Sequence, residues 1–372
     1  METKTRNYGI DLLRLISMLM VVILHVLGQG GILDYGSSIS IKGEFFWALE
    51  ILCYGAVDIF AIISGYVGIK SRHRYSSLIY LCIQLMFYST IITATEVVVS
   101  LVNGQALSLG TVLLHLFPSV KNCWYFSAYF CLFFFMPILN EIVNKLSRNI
   151  LRIAGAFVFF VFVCWTQISD VVSALRDGYS LLWLAVLYVL GAYMAKYHLF
   201  ENWSIKKCIF GYFAFSAISV LSRSSVYAAT TMVFGDAKRI NLLVSYTSPT
   251  VLLASICLVC ACTKLNVGTR SAKVISFLSP MAFGVYLIHC HPYLYNMLKD
   301  AFSWVVSIPI VLGVLAVIGF ALMIFIACLF ADWLRLLFFN LVKIKSLSQW
   351  IEKISKTFFK KILKIFKITF DE

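Results

Sequence analysis

Apolar residues occur in long runs along the chain, and short polar or charged segments separate these runs. An α-helix needs a run of about 20 mostly apolar residues to cross the hydrocarbon core of a bilayer. Ten runs approach or exceed this length, and we predict one membrane span for each: residues 8–28, 45–69, 76–102, 124–143, 151–169, 179–196, 207–228, 241–263, 275–298 and 303–334. The pattern therefore predicts an all-α, polytopic membrane protein.

The composition excludes the main alternatives to a membrane protein. Apolar residues make up 61% of the chain and charged residues only 13%, whereas soluble domains are about half apolar and about a quarter charged. Disorder requires low hydrophobicity, so it is excluded as well. Three nearby cysteines, Cys257, Cys260 and Cys262, have no second pair and no His at ligand spacing, so we expect no metal site.

The basic residues of the chain indicate its orientation in the membrane. A net charge of +14 is also typical of nucleic-acid-binding proteins, but here Lys and Arg lie at the ends of the apolar runs. If odd-numbered spans run outward, the inner segments and the tail hold 23 of the 31 Lys and Arg residues. Because cytoplasmic segments are enriched in Lys and Arg, we predict a multi-pass cell-membrane protein with both termini in the cytoplasm and no nucleic-acid partner.

The last segment of the chain differs from the spans. From residue 343 to residue 370, apolar residues recur at helical spacing and lysines lie between them. This pattern predicts a basic amphipathic helix on the anionic inner leaflet, with membrane lipids as its partners. A docking site for a partner enzyme is the alternative. We therefore divide the chain into a membrane domain, residues 1–341, and a cytoplasmic tail, residues 342–372.

Ionisable residues inside the spans are candidate functional residues, because each costs at least about 2.5 kcal/mol to insert into the membrane. The predicted spans contain Asp11, Arg14, His25, Glu50, Asp58, Glu96, Glu141, Arg223, His289 and His291. Four of these lie within about two turns of a span end, where we expect snorkelling or a structural ion pair. These four are Glu50, Glu96, Glu141 and Arg223.

Arg14 and His25 lie eleven residues apart on the first predicted helix. Eleven residues make about three turns, so both side chains face the same way, about 16 Å apart along the axis. Asp11 lies one turn before Arg14 and shares this face. Such a face requires a polar cavity, unless Arg14 snorkels inward and His25 is a hydrogen-bonded core histidine. Spacing alone leaves both interpretations open.

Five short motifs occur in order along the spans. The first is Gly9-Ile10-Asp11-Leu12-Leu13-Arg14, followed after ten residues by His25. The others are Val57-Asp58-Ile59-Phe60 before Ile63-Ser64-Gly65-Tyr66, Trp124-Tyr125-Phe126 before Pro137, Gly191, and Gly284-Val285-Tyr286-Leu287-Ile288-His289. With these motifs, residues 8 to 334 resemble the integral-membrane acyltransferase family 3.

The resemblance implies transfer of an acyl group, commonly acetyl, from cytoplasmic acyl-CoA to a hydroxyl of a cell-surface or lipid-linked carbohydrate. It implies His25, Arg14 and Asp58 as catalytic residues. The substrate-binding and donor-binding residues that we expect are Asp11, Arg14, Ser64, Trp124, Tyr286 and His289. Family members with a fused extracytoplasmic esterase-like domain extend well past the tenth helix, so we expect a stand-alone membrane domain here, with polysaccharide-assembly proteins as candidate partners. Ala61 also departs from the family pattern, in which a second Phe is frequent.

The chemistry of acyl transfer suggests roles for the first-helix pair. A neutral imidazole at His25 suits a general base that removes the proton of the acceptor hydroxyl. The forked cation of Arg14 suits a phosphate of CoA near the inner surface. Asp58 would orient His25, neutralise Arg14 or serve as a structural counter-ion.

A covalent route stays open beside direct transfer, with His25 itself carrying the acyl group. Ser64, Cys53 and Cys290 are alternative acyl carriers, but none has a base at a fixed local spacing.

Two other functions also fit ten spans with intramembrane charges. A transporter or flippase for a glycan or small solute is one, but it predicts inverted repeats with paired, Gly- or Pro-broken helices. The sequence shows neither feature. A non-catalytic assembly partner is the other, and the shared face of Arg14 and His25 disfavours it.

Overall fold

The described part of the chain folds into helices and contains no β-strand. In the computed structural model it comprises residues 6–33, 40–117, 123–167, 169–235 and 241–365. The α-helices are α1 (Tyr8–Leu27), α2 (Ile41–Tyr54), α3 (Ala56–Gly68), α4 (Tyr75–Val102), α5 (Leu109–Leu116), α6 (Trp124–Lys145), α7 (Arg148–Val158), α8 (Leu181–Tyr197), α9 (Ile205–Phe234), α10 (Pro249–Thr263), α11 (Thr269–Leu278), α12 (Ala282–His289), α13 (Pro292–Met297), α14 (Ile310–Leu341) and α15 (Ile344–Ile365). A π-helical segment, Phe159–Cys164, and several 3-10 segments connect some of them.

The predicted all-α polytopic fold is confirmed. Eight helical segments of the described chain are long and apolar enough to cross a membrane. Two shorter apolar helices, α8 and α10, lie at the sixth and eighth predicted spans. Helix α10 begins at Pro249 rather than at residue 241, because Ser248 before it has an extended backbone and Pro suits a first helical turn. Helix α14 begins after Pro309 and continues to Leu341.

Helix α1 lies at the centre of the bundle. In the most apolar stretch of α1, 72% of the residues are buried, whereas only 22% are buried in the corresponding stretch of α14. It packs against α2, α3, α10, α11, α12 and α14. Because protein rather than lipid surrounds α1, its polar side chains need either partners or a cavity.

Two glycines allow α3 and α8 to pack backbone to backbone. A Cβ atom at Gly65 would lie 1.8 Å from the carbonyl oxygen of Tyr188, and one at Gly191 would lie 1.9 Å from that of Ile62. Any larger residue would push the two helices apart. Small residues at helix contacts of this kind are typical of membrane bundles.

Helix breaks place the later candidate residues. Helices α2 and α3 meet at Gly55, so Asp58 lies in the first turn of α3. A 3-10 turn, Ser279–Met281, precedes α12, and α12 ends at His289. His289 therefore lies where the chain leaves its helix, at the depth reached by the last turn of α1.

The tail forms the amphipathic helix α15, as predicted. It packs against the start of α4, where Glu352 Oε2 accepts a hydrogen bond of 3.0 Å from the backbone N–H of Ser76. The side chains of Leu347, Trp350, Ile354 and Phe358 form an exposed apolar stripe. The division into two domains at residue 341 stays a prediction.

Candidate active site

Arg14 and His25, the two residues that the sequence analysis emphasises, lie on one face of α1. Met18 and Val21 lie between Arg14 and His25 on this face. A cavity begins at Met18 and follows the helix past His25 to Gln29. Thus His25 lies on a cavity, as the sequence pattern requires of a functional histidine.

His25 is hydrogen-bonded to His289 of α12. Nδ1 of His25 lies 2.9 Å from Nε2 of His289, and Nδ1 of His289 lies 2.6 Å from the carbonyl oxygen of Val285. A carbonyl oxygen only accepts, so His289 carries its proton on Nδ1 and its neutral ring accepts at Nε2. His25 must then donate from Nδ1, which leaves a lone pair on its Nε2. This tautomer makes His25 Nε2 a base held in a fixed orientation.

Cys290 lies beside the two histidines. Its Sγ is 3.5 Å from His289 Nε2 and 3.8 Å from His25 Nδ1. The ligand atoms of these three residues all lie within 4.8 Å of one another, a set of donors that also suits zinc. However, a metal would need the same nitrogens that join the two imidazoles. Metal binding and the histidine hydrogen bond therefore exclude each other.

The cavity has a volume of about 480 Å³, within the range of small-molecule sites, about 300–1,000 Å³. Helix α1 and the turn that follows it contribute Met18, Val21, Leu24, His25, Gly28 and Gln29 to its lining. Most of the remaining lining is aromatic and consists of Tyr54, Phe60, Trp124, Tyr125, Tyr179, Tyr246, Phe283, Tyr286 and Tyr295, with Glu50, Val57 and Cys290. An aromatic cavity with a few polar groups is typical of a binding site for an organic ligand.

Two polar groups in this lining have no side-chain partner. In the described residues, seven buried side-chain polar atoms lack a hydrogen bond, and Glu50 Oε2 and Tyr286 OH are the two that belong to cavity-lining residues. The side chains are only 8% and 6% exposed, respectively. Leaving such a group unpaired costs about 1–3 kcal/mol, so a ligand that binds both would relieve a built-in penalty.

The opposite end of α1 is a closed ionic cluster. Arg14 Nη1 donates to Asp11 Oδ1 at 2.7 Å, and Arg6 Nε donates to Asp11 Oδ2 at 2.5 Å. Arg6 also donates to Ser279 Oγ at 3.0 Å. The Arg14 side chain is still 33% exposed, so an anion can reach it.

The sequence of the chain matches the model of one protein family. An acyltransferase 3 family model, described as an acyltransferase domain, matches residues 7–333 of the chain. The chain belongs to the acyltransferase 3 family. No curated protein and no solved structure matches it. The resemblance found in the sequence is thereby confirmed, and the chain is a membrane acyltransferase.

Other residues expected at the site of the acyltransferase occupy different places. Asp58 accepts a hydrogen bond of 2.9 Å from Trp183 Nε1, and its side chain is fully buried. Ser64 donates to the carbonyl oxygen of Phe60 in its own helix at 2.8 Å. Trp124 lines the cavity, next to Tyr125. The structure therefore brings His25, His289, Trp124 and Tyr286 together but ties Asp58 to α8.

The four acidic or basic residues near span ends divide in the same way. Arg223 pairs with Glu44 of α2, Glu96 pairs with His115, and Glu141 pairs with Lys145. The pairs of Arg223 and Glu141 are the ion pairs that we expected, and Glu96 is held by a hydrogen bond with His115. Glu50 differs, because Oε2 of its carboxyl group has no partner and the residue lines the cavity.

Sequence reasoning missed one buried ion pair of the acyltransferase. Asp332 and Arg335 on α14 are 0% and 2% exposed, and Arg335 Nη2 donates to Asp332 Oδ2 at 2.6 Å. Gln84 and Tyr88 of α4 donate to the other carboxylate oxygen. The available signal was an acid, Asp332, inside the last apolar run, with an arginine one turn later at its end.

Proposed function

We propose that this membrane acyltransferase moves an acyl group, commonly acetyl, from cytoplasmic acyl-CoA to a hydroxyl of a cell-surface or lipid-linked carbohydrate. The observation that carries the proposal is the oriented His25–His289 pair on an aromatic cavity. A base with a free lone pair and a pocket for an organic acceptor are the two requirements of transfer to a hydroxyl.

The residues divide the reaction between them. His25 Nε2 removes the proton of the acceptor hydroxyl as its oxygen attacks the thioester carbon. The tetrahedral intermediate then collapses, the carbon–sulfur bond breaks, and CoA leaves with the proton from His25. His289 holds the ring of His25 through the 2.9 Å hydrogen bond, and Val285 fixes the tautomer of His289.

Arg14 suits the other end of the donor. It lies about 16 Å from His25 along the axis of α1, a distance that a pantetheine arm can bridge. Its exposed guanidinium can bind a phosphate with two parallel hydrogen bonds. In this arrangement the nucleotide of CoA stays at the inner surface, and only the thioester reaches the cavity.

The orientation follows from the charge distribution. With both termini in the cytoplasm, the inner end of α1 carries Arg6 and Arg14, and the cavity lies toward the outer leaflet. Reporter fusions at Lys42 and Arg176 should then lie outside, and fusions at Arg72 and Lys206 inside. A reversed pattern would contradict a cytoplasmic donor.

Direct transfer accounts for the site without an acyl-enzyme. In the structure, the thiol of Cys290 lies beside the imidazole of His289, a contact that the sequence did not predict. However, His289 Nε2 already accepts a hydrogen bond from His25, so its lone pair is not free to take the proton of the thiol. A C290A variant should retain transfer, and an acyl adduct on Cys290 in the intact protein would contradict direct transfer.

The tail supports a membrane-surface role. Its exposed apolar stripe, Leu347, Trp350, Ile354 and Phe358, suits the interfacial region, and the lysines around it suit anionic headgroups. Truncation after Leu341 should leave the spans folded and transfer intact.

Two measurements test the function. Surface glycans from cells with and without the gene should differ by an acyl mass increment in mass spectrometry. Purified protein in lipid should release CoA from acetyl-CoA in the presence of an acceptor glycan. Identical glycan spectra, together with no acetyl-CoA turnover by the inserted protein, would overturn the proposal.

A further inference from the structure

The cavity carries a binding surface that the histidine pair does not use. Tyr54, Trp124, Tyr179 and Tyr246 pack ring to ring and form what we call the aromatic wall. Ring centroids are 4.8 Å apart for Tyr54 and Tyr246, 4.8 Å for Trp124 and Tyr179, and 5.0 Å for Tyr179 and Tyr246. These residues come from four separate segments of the chain, and all of them line the cavity.

Glu50 and Tyr286 supply hydrogen-bonding groups in the same cavity. Glu50 Oε2 and Tyr286 OH are buried and have no side-chain partner, and no Lys or Arg is present in the described cavity lining. Asp332, another buried acid, has both oxygens bonded by Arg335, Gln84 and Tyr88. Asp58 has one oxygen bonded by Trp183 and the other unpaired, but it does not line the cavity. Glu50 combines an unpaired oxygen with a place in the cavity lining, and this combination points to a ligand rather than to a structural role.

The ligand chemistry follows from these two surfaces. Aromatic faces carry negative charge and attract the slightly positive C–H groups of a saturated ring. A carboxyl group accepts hydrogen bonds from ring hydroxyls. A phenol hydroxyl can either donate a hydrogen bond to them or accept one. A pyranose ring presents both features, a C–H face and a rim of hydroxyls. An apolar alcohol of similar size has only the first.

We propose that this part of the cavity is an acceptor subsite for one pyranose ring, stacked on the aromatic wall with its hydroxyls bound by Glu50 and Tyr286. The inference rests on the proposed function and assigns residues to its acceptor. The ring's reacting hydroxyl then faces His25. An adenine ring of CoA is a poor occupant, because Arg14, the anion-binding residue, lies at the other end of α1.

Binding by the full-length protein in lipid nanodiscs tests the subsite without turnover. The probes are methyl glycosides of glucose, N-acetylglucosamine and rhamnose, with cyclohexanol as the alcohol that lacks a hydroxyl rim. Saturation-transfer NMR should detect at least one glycoside in preference to cyclohexanol. E50Q and Y286F should each lower the affinity for that glycoside by about 3- to 10-fold, which corresponds to the loss of one hydrogen bond.

Matched controls separate the subsite from the rest of the protein. E141Q and Y227F change the same groups outside the cavity and should leave glycoside affinity unchanged. Acetyl-CoA affinity should stay the same in all four variants. In turnover, E50Q and Y286F should raise the acceptor KM more than they lower kcat.

Three outcomes would overturn the subsite: no glycoside binds, cyclohexanol binds equally well, or E50Q and Y286F leave glycoside affinity within about twofold of the wild type. If acetyl-CoA still binds in those cases, the proposed function survives and only the acceptor subsite fails. Conversely, glycoside binding by a protein that neither binds nor consumes acetyl-CoA would overturn the proposed donor and keep the subsite.

Discussion

Two buried polar clusters of this acyltransferase each contain a carboxyl group and a tyrosine, and they differ in how the carboxyl group is paired. Between α4 and α14, Asp332 accepts hydrogen bonds from Arg335, Gln84 and Tyr88, and both of its oxygens are used. On the cavity beside α1, Glu50 Oε2 accepts none. Both side chains are at least nine-tenths buried.

The difference separates structural from ligand-binding polar groups. A membrane protein must satisfy a buried charge internally, and the Asp332 cluster does so with groups from two helices. The cavity instead keeps unpaired groups next to a base with a free lone pair. The comparison predicts that mutations in the first cluster damage stability and that mutations in the second damage transfer.

The largest expected effect is on transfer, at His25. H25A should lower kcat by about 10² to 10⁴, because the hydroxyl then loses its general base. Turnover of acetyl-CoA by purified protein in lipid measures this loss. The control is H198N on the surface, where the backbone φ of 50° tolerates Asn. Normal turnover in correctly inserted H25A would make His25 an ordinary core histidine.

The next largest effect is on stability, at Asp332. D332A leaves Arg335 buried without its carboxylate and should lower the free energy of unfolding by about 3–5 kcal/mol. Thermal unfolding in a single detergent gives the comparison. A double variant, D332L with R335L, should lose less than D332A because it leaves no unpaired charge. Equal stability of D332A and wild type would remove the distinction between the two clusters.

Arg14 is an intermediate case, paired on one side and exposed on the other. R14K should keep the contact with Asp11 but weaken acetyl-CoA binding by about tenfold, since an ammonium cannot bind phosphate through a planar fork. Acetyl-CoA affinity and kcat are measured separately, with K145R on α6 as the surface control. An unchanged affinity would place the CoA phosphates elsewhere.

Glu352 shows what a paired carboxylate does outside the membrane. Hydrogen bonds from Lys356 and Ser76 lower its pKa from 4.5 to about 2. Its contribution to holding α15 on α4 is therefore complete above pH 4.5 and is lost as the pH falls toward 2. Fluorescence of Trp350 should report this change, and E352Q should flatten the titration. A Trp350 titration that is the same in E352Q would assign the contact to other residues.

The smallest expected effect is on the stability of E50Q. The substitution removes no ion pair, so the unfolding temperature should stay close to that of the wild type, in contrast to D332A. A large loss of stability would show that Glu50 is a structural residue after all.

The sequence predicted most of the fold because span length and loop charge are local properties. It also placed Arg14 and His25 on one face, since both lie on one unbroken helix. The partners of His25 were harder to predict, because His289 belongs to a helix more than 250 residues away and reaches the site only through the break at Ser279–Met281. Asp58 illustrates the converse, since its motif gave no indication that Trp183 of α8 is its partner. The sequence analysis assigned Glu50 a structural role because it lies near the end of a span. Whether its carboxyl group has a hydrogen-bond partner depends on the tertiary structure, which the sequence pattern does not reveal.

The hydrogen bond from His289 to Val285 has a consequence for how this family member can vary. The hydrogen bonds that begin at His25 end at a main-chain carbonyl oxygen, that of Val285. No point substitution removes a main-chain carbonyl group. The orientation of the base is thus inherited through the path of the backbone rather than through the identity of residue 285. Residue 285 can therefore be substituted without loss of this hydrogen bond, provided that the backbone path of α12 is unchanged. Relatives that have lost the activity but keep both histidines should carry substitutions at the bend before α12 or at its contacts with other helices.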